Sequence, residues 1–233
     1  MSFLNHGEGA DVLLLHGYGS KKESFYYQTE RLSERFCVTA PDFPFFGLSE
    51  GDERAWSVGD YADWLLKFMD ARKLFCPYVI AHSFGARVAF KLFSAHGDRV
   101  KKLIITGGAG LVKPRSPQYM RRIRAYRRVK RLFPKFAERH YGSEEYKKLS
   151  PVMKESYKKI VNEDLKCCAN LISAPTLLVY GADDRVTPAC EEGEIFHSLI
   201  KGSILQVVEG GHFCFSEQPE KFNNIIYNFL SEK

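Results

Sequence analysis

Short, wholly apolar runs alternate with longer amphipathic stretches along most of this chain, and no other feature restricts its fold as tightly. Residues 12–16, 37–41, 78–82, 103–106, 176–180 and 204–208 have strand length and several are apolar throughout. A short first strand is also expected near 3–6. Between the runs, residues 23–34, 57–71, 84–95, 188–199 and 219–230 show helical spacing. Strands that are apolar on both sides suit a parallel sheet covered on both faces. Strand–helix alternation means βαβ units. The expected fold class is α/β: a mostly parallel central sheet flanked by helices.

The alternation breaks once. From 113 to 173 no strand run appears, and Met120, Ile123, Tyr126 and Val129 recur every three residues among arginines. The pattern predicts a helix, a break at Pro134, and further helical segments at 143–148 and 151–171. A core made of 1–112 and 174–233, with a helical insertion at 113–173, is the expected organisation. Charge divides along the same boundary. Residues 113–159 hold 16 of the 34 Lys/Arg and 4 of the 28 Asp/Glu, net +12, leaving 18 bases and 24 acids, net −6, elsewhere. Such asymmetry speaks of partners and steering rather than of fold.

At 233 residues the chain is long enough for a core that needs no disulfide or metal staple. Its six cysteines are scattered without a CxxC pair, and neither a disulfide framework nor a zinc site is expected. The N-terminus lacks a basic region followed by a long apolar one, and no apolar run reaches 18 residues. The expectation is a cytoplasmic protein with free thiols and no membrane span.

Four motifs carry chemistry. Ala81-His82-Ser83-Phe84-Gly85 follows an apolar run and opens an apolar helix, the setting of a nucleophile elbow. Gly181-Ala182-Asp183-Asp184 puts carboxylates past the run 176–180, where one can orient an imidazole. Glu209-Gly210-Gly211-His212-Phe213 puts a histidine in the loop after 204–208. Each motif alone reads equally as a helix cap, a turn or an idle loop residue. Together they fall in the order Ser, Asp, His, each at a strand's C-terminal end, and the joint coincidence is far rarer than its parts. The fourth, His16-Gly17-Tyr18-Gly19, follows the run 12–15. There the Tyr18 amide, with that of Phe84, would form an oxyanion hole. His16 itself reads as a buried, hydrogen-bonded support.

With these motifs and Asp42-Phe43-Pro44-Phe45-Phe46-Gly47-Leu48-Ser49, the chain resembles the α/β-hydrolase superfamily over essentially its whole length. The resemblance implies a triad of Ser83, Asp184 and His212, the acid falling three residues after Gly181. It implies an acyl-enzyme mechanism on a small ester or related acyl substrate, with no metal and no organic cofactor. It also makes 113–173 a cap over the site. Phe45 replaces the first glycine of the family's D-x-P-G-x-G-x-S segment, so a large ring is expected at the pocket. Met120, Ile123 and Tyr126 either roof that pocket or form the cap's own core. Family members that act on anionic acyl compounds, or meet an acidic carrier protein, are similar to this chain in the basic character of the cap. C–C bond hydrolysis, acyl transfer or peptidase activity on the same triad stays open. So does a non-catalytic protein that binds an acidic partner through the basic insertion. A specific nucleic-acid module is not seen, and Gly107-Gly108-Ala109-Gly110 lacks dinucleotide spacing.

Overall fold

The computed structural model describes residues 1–112, 117–132 and 144–231, without the side chains at 117, 119, 122, 123, 127, 130, 132, 144 and 145. Seven strands form one sheet: β1 (Phe3–His6), β2 (Ala10–Leu15), β3 (Phe36–Pro41), β4 (Tyr78–His82), β5 (Lys102–Thr106), β6 (Thr176–Gly181) and β7 (Ile204–Val208). The spatial order is β1-β3-β2-β4-β5-β6-β7. Every adjacent pair is parallel except β1 with β3.

The apolar runs are explained by burial on both faces. Leu13, Leu15, Val79, Ala81, Leu103, Ile105 and Leu178 enter one core. Their neighbours Val12, Leu14, Ile80, Ile104, Leu177 and Val179 enter the other. The first core is covered by α2 (Val58–Ala71), α3 (Phe84–Ala95) and the later α8 (Glu194–Leu199). The second is covered by α1 (Tyr26–Leu32) and α10 (Pro219–Ser231), with α9 (Cys214–Glu217) leading into the latter.

Strand order reverses at β2, which has β3 on one side and β4 on the other. Beyond the carboxyl ends of such strands a crevice opens, and ligands bind there in folds of this kind. Leu15 lies opposite Ala81 and His82 opposite Thr106, so the loops after β2, β4 and β5 emerge side by side.

Between β5 and β6 the described residues form α4 (Pro117–Leu132), α5 (Glu144–Lys148), α6 (Pro151–Val161) and α7 (Lys166–Asn170). The single helix expected over 151–171 is two, parted at Asn162–Leu165. The Arg87 guanidinium draws the carbonyls of Ile160 and Glu163 toward α3 at 3.0 and 3.1 Å, which ends α6. The expected helix 23–34 likewise begins as a 3-10 turn over Lys22–Phe25, and 188–199 as a π turn over Ala189–Gly193. Lys113, Pro134 and the rest of 133–143 lie outside the described residues. No described helix is long and apolar enough to cross a membrane.

Candidate active site

Ser83 is the residue on which β4 turns into α3. Its φ of 49° and ψ of −104° lie where an L-residue is strained, at a cost of about 1–3 kcal/mol. The turn is over-determined. The Ser83 amide donates to the Thr106 carbonyl at 3.2 Å, extending the β4–β5 register by one residue. Gly85 passes so close to β2 that a Cβ there would stand 2.3 Å from the Leu15 carbonyl oxygen. Phe84 is the first residue of α3, so its amide has no intrahelical acceptor. A Cβ on Gly17 would lie 3.6 Å from Ser83 Cβ, which puts the 16–19 loop directly beside the serine.

Two loops from neighbouring strands bring the acid to the imidazole. The Ala182 amide donates to the Val208 carbonyl at 2.7 Å and the Asp183 amide to that of Gly210 at 2.9 Å. His212 Nδ1 then lies 2.8 Å from Asp184 Oδ2. Asp183 is exposed while Asp184 is buried, so Asp184 is the carboxylate the imidazole meets. Asp184 Oδ1 accepts from the amides of Val186 (2.8 Å) and Thr187 (2.9 Å), and Oδ2 also accepts from the Thr187 hydroxyl at 2.8 Å. Burial works to raise the Asp184 carboxyl. The hydrogen bonds from His212 and Thr187 outweigh it and hold the group below the ordinary carboxylate value. The Ser83 hydroxyl makes no hydrogen bond among the described residues. Serine–imidazole contacts commonly tighten only when substrate binds.

The remaining sequence-derived residues are Tyr18, His16, Phe45, Met120, Ile123 and Tyr126. Tyr18 borders the serine: its ring packs edge-on against Phe84 at 5.7 Å, Phe46 at 4.9 Å and Tyr157 of α6 at 5.2 Å. His16 lies buried beneath that loop, as expected. Its Nε2 accepts from the Phe43 amide at 3.0 Å, so Nδ1 carries the proton and donates to the Gly17 carbonyl at 2.7 Å. Burial lowers this imidazole to about 4, the Gly17 bond opposing, and the ring is neutral. Phe45 takes the glycine-like conformation of the residue it replaces, with φ at 72°. Its ring packs on Trp56 at 5.9 Å and fills the space a Cβ on Gly51 would need. Met120 and Tyr126 are half-buried on α4; the Ile123 side chain lies outside those described.

Several contributors escaped the motif analysis. Thr187 lies just beyond the Gly181–Asp184 motif, where only its spacing of three from Asp184 hints at a local hydrogen bond. His82 sits in the elbow motif, its Nε2 3.0 Å from the main-chain oxygen of His212. Arg87 and Tyr157 act across 70 or more residues, and nothing local marks them. Cys214, two residues from His212, is buried and 3.5 Å from the Thr106 hydroxyl. Among the described residues no group of three or more His, Cys, Asp or Glu is placed to hold a metal ion.

The chain is 26% identical to the pimeloyl-[acyl-carrier protein] methyl ester esterase of Neisseria meningitidis, over 94% of this chain and 92% of that protein. It is 25% identical to the 2-hydroxymuconate semialdehyde hydrolase of Pseudomonas putida, over 98% and 89%. An esterase structure from Exiguobacterium antarcticum superposes with a TM-score of 0.80 at 23% identity, covering 99% of this chain and 95% of that one, a likeness of fold. Residues 12–167 match the family described as alpha/beta hydrolase fold, and this chain belongs to that family.

Proposed function

We propose that the chain is a serine hydrolase acting on a carboxylic ester or related acyl compound. Ser83 is the nucleophile, His212 the general base and then acid, and Asp184 the group that fixes the imidazole tautomer. The observation that carries the reading is the strained Ser83 elbow beside an independently built Asp184–His212 pair at 2.8 Å. Ser83 Oγ bonds to the acyl carbon as its proton passes to His212 Nε2. The leaving alcohol departs with that proton, and water repeats the sequence to release the acid. The amides of Tyr18 and Phe84 receive the oxyanion, a donor of this kind being worth about 3–4 kcal/mol.

The helical segment 113–173 acts as a cap in this proposal. Its last long helix, α6, packs against Tyr18 through Tyr157 and accepts the Trp56 amide on the Ser156 hydroxyl at 2.9 Å. Phe45, Met120, Ile123 and Tyr126 are the proposed lining of the acyl pocket. Arg121, Arg124, Arg128 and Arg131 are exposed along one face of α4. That face supports an anionic acyl substrate or one presented on an acidic carrier protein. Hydrolysis of an activated C–C bond is the second reading. It is favoured by the near-full-length similarity to a semialdehyde hydrolase, and it uses the same triad.

A chromogenic ester series from acetate to decanoate tests the proposal, comparing the wild type with Ser83→Ala. Turnover and fluorophosphonate labelling in the wild type, both lost in a folded Ser83→Ala, are expected. Equal turnover by the two proteins overturns the assignment.

A further inference from the structure

The proposed chemistry leaves one buried imidazole in the elbow unused. His82 is the last residue of β4 and is 2% exposed. Burial, and His212 beside it, lower its imidazole to about 3, so the ring is neutral and carries a single N–H. Its Nε2 lies 3.0 Å from the main-chain oxygen of His212, an acceptor, so the N–H sits on Nε2. The other edge of the ring faces the oxyanion loop: a Cβ on Gly17 would be 2.8 Å from Nδ1 and 3.2 Å from Cε1. The two imidazoles lie 4.7 Å apart between centroids, and Phe213 and Phe215 pack on His82 at 5.1 and 4.9 Å.

One ring therefore meets three separate pieces of the site. It is bonded in sequence to the nucleophile, hydrogen-bonded to the backbone of the base, and in contact with the loop that carries an oxyanion donor. The loop holding His212 is fixed to the 182–183 turn at Val208 and Gly210 and to Glu217 at Gly211, and the His82 bond adds its tie to the elbow. Gly210 has a φ of 111°, and the loop reaches over from β7, three strands from β4. An apolar side chain of the same volume would fill the space but leave the His212 carbonyl without this donor.

We propose that His82 is a positioning residue that holds the His212 loop at a fixed height above the Ser83 elbow through its Nε2–H. The inference rests on the assignment of Ser83 and His212 given above. It differs from a packing role in requiring a donor at one place only. A glutamine amide nitrogen reaches the position of Nε2, whereas that of asparagine reaches only that of Nδ1.

The test is a comparison of His82→Gln, His82→Asn and His82→Leu, with kcat and KM on the best chromogenic ester and amide hydrogen exchange over residues 209–214. His82→Gln is expected to keep kcat within about threefold of the wild type. His82→Asn and His82→Leu are expected to lose about tenfold or more in kcat, because sub-ångström misplacement of a base is costly, with KM nearly unchanged. Exchange over 209–214 should quicken in the latter two alone. Should His82→Leu fail to fold, His82→Asn carries the same comparison. Wild-type kcat and wild-type protection in His82→Asn or His82→Leu overturn the proposal, and so does a loss that His82→Gln shares equally. Hydrogen exchange reads the tie without turnover, so a wild-type level of hydrolysis in Ser83→Ala would sink the catalytic assignment while the exchange data still decide the role of His82.

Discussion

Thr187 holds Asp184 twice, its amide 2.9 Å from Oδ1 and its hydroxyl 2.8 Å from Oδ2, the same oxygen that meets His212 Nδ1. The hydroxyl is also 3.2 Å from Nδ1, so carboxylate, imidazole and threonine form one closed triangle. A hydrogen bond to a charged group is worth about 1.5–3 kcal/mol. Thr187→Val keeps the shape and the amide but removes the hydroxyl. Its kcat/KM should fall about tenfold, while Thr187→Ser stays near the wild type. Asp184→Asn should cost far more, on the order of 10⁴-fold in kcat, because it stabilises the wrong tautomer. Steady-state kinetics on the three variants checks the ranking, and equal activity of Thr187→Val and the wild type would remove Thr187 from the site.

At Gly85 the start of α3 passes close to the end of β2. The 2.3 Å between a Cβ there and the Leu15 carbonyl oxygen cannot be relieved by a side-chain rotation, since the obstacle is backbone. Gly85→Ala is expected to destabilise the fold by about 1–3 kcal/mol and to shift the elbow, as overpacking does. Gly59, in α2, is the control: a Cβ there meets nothing nearer than 3.6 Å. Gly59→Ala should gain about 0.5–1 kcal/mol from its helical propensity. Thermal melts and fluorophosphonate labelling of both variants separate the two effects. A Gly85→Ala protein that melts and labels like the wild type would mean that the close approach does not shape the turn.

The difference between those glycines shows what a sequence can and cannot convey. Strands 78–82 and 176–180 were legible because burial on both faces keeps their runs largely apolar, whereas 204–208, a largely exposed edge strand, was legible from its β-branched residues and its place in the alternation. Ser83, Asp184 and His212 were legible because each motif ends a strand and the three follow one chain order. His82 and Arg87 were not, because their partners, the carbonyls of His212, Ile160 and Glu163, come close only in the tertiary fold; Thr187 was not, because a threonine three residues after an aspartate is equally at home in an ordinary turn. Arg87 bonds to carbonyls 73 and 76 residues away, and it is these that divide the expected helix 151–171. Phe45 shows the opposite case. A phenylalanine gives no local sign of a left-handed turn, yet the loop around Asp42 imposes one.

That loop makes a prediction about acid stability. The Asp42 carboxylate is fully buried and accepts from the Lys22 amide at 2.7 Å, the Lys22 ammonium at 2.9 Å and the Leu48 amide at 2.9 Å. Burial raises the carboxyl, but the hydrogen bonds prevail and hold it below its ordinary value. A carboxyl depressed by folding contributes stability that is fully present above the ordinary value, about 3.9, and is lost as pH falls through the folded value. Asp42→Asn leaves Lys22 buried, with Glu23 at 3.1 Å as its remaining counter-ion. A loss of about 2–4 kcal/mol is expected between pH 8 and 5, shrinking below about pH 4. Urea titrations of both proteins across that range measure it. A difference that grows toward low pH would reverse the sign and refute the argument.

The arginine face of α4 bears on substrate charge. Arg121, Arg124, Arg128 and Arg131 recur at spacings of three, four and three, so they share one side of the helix, and all four are exposed. Among the described residues none of them is in an ion pair, in contrast to Arg31, Arg54 and Arg99. Four like charges on one face repel one another and attract an anion over about 10 Å at 0.1 M salt. A monoester of a dicarboxylic acid should therefore show a kcat/KM that falls about three- to tenfold from low to high salt. A neutral ester of equal length should change less than about twofold. Replacing all four arginines with glutamine should flatten the first curve onto the second without altering fluorophosphonate labelling of Ser83. Salt curves that coincide for the two esters in the wild type would show that the arginine face does not select the substrate, and would leave the acyl pocket alone to do so.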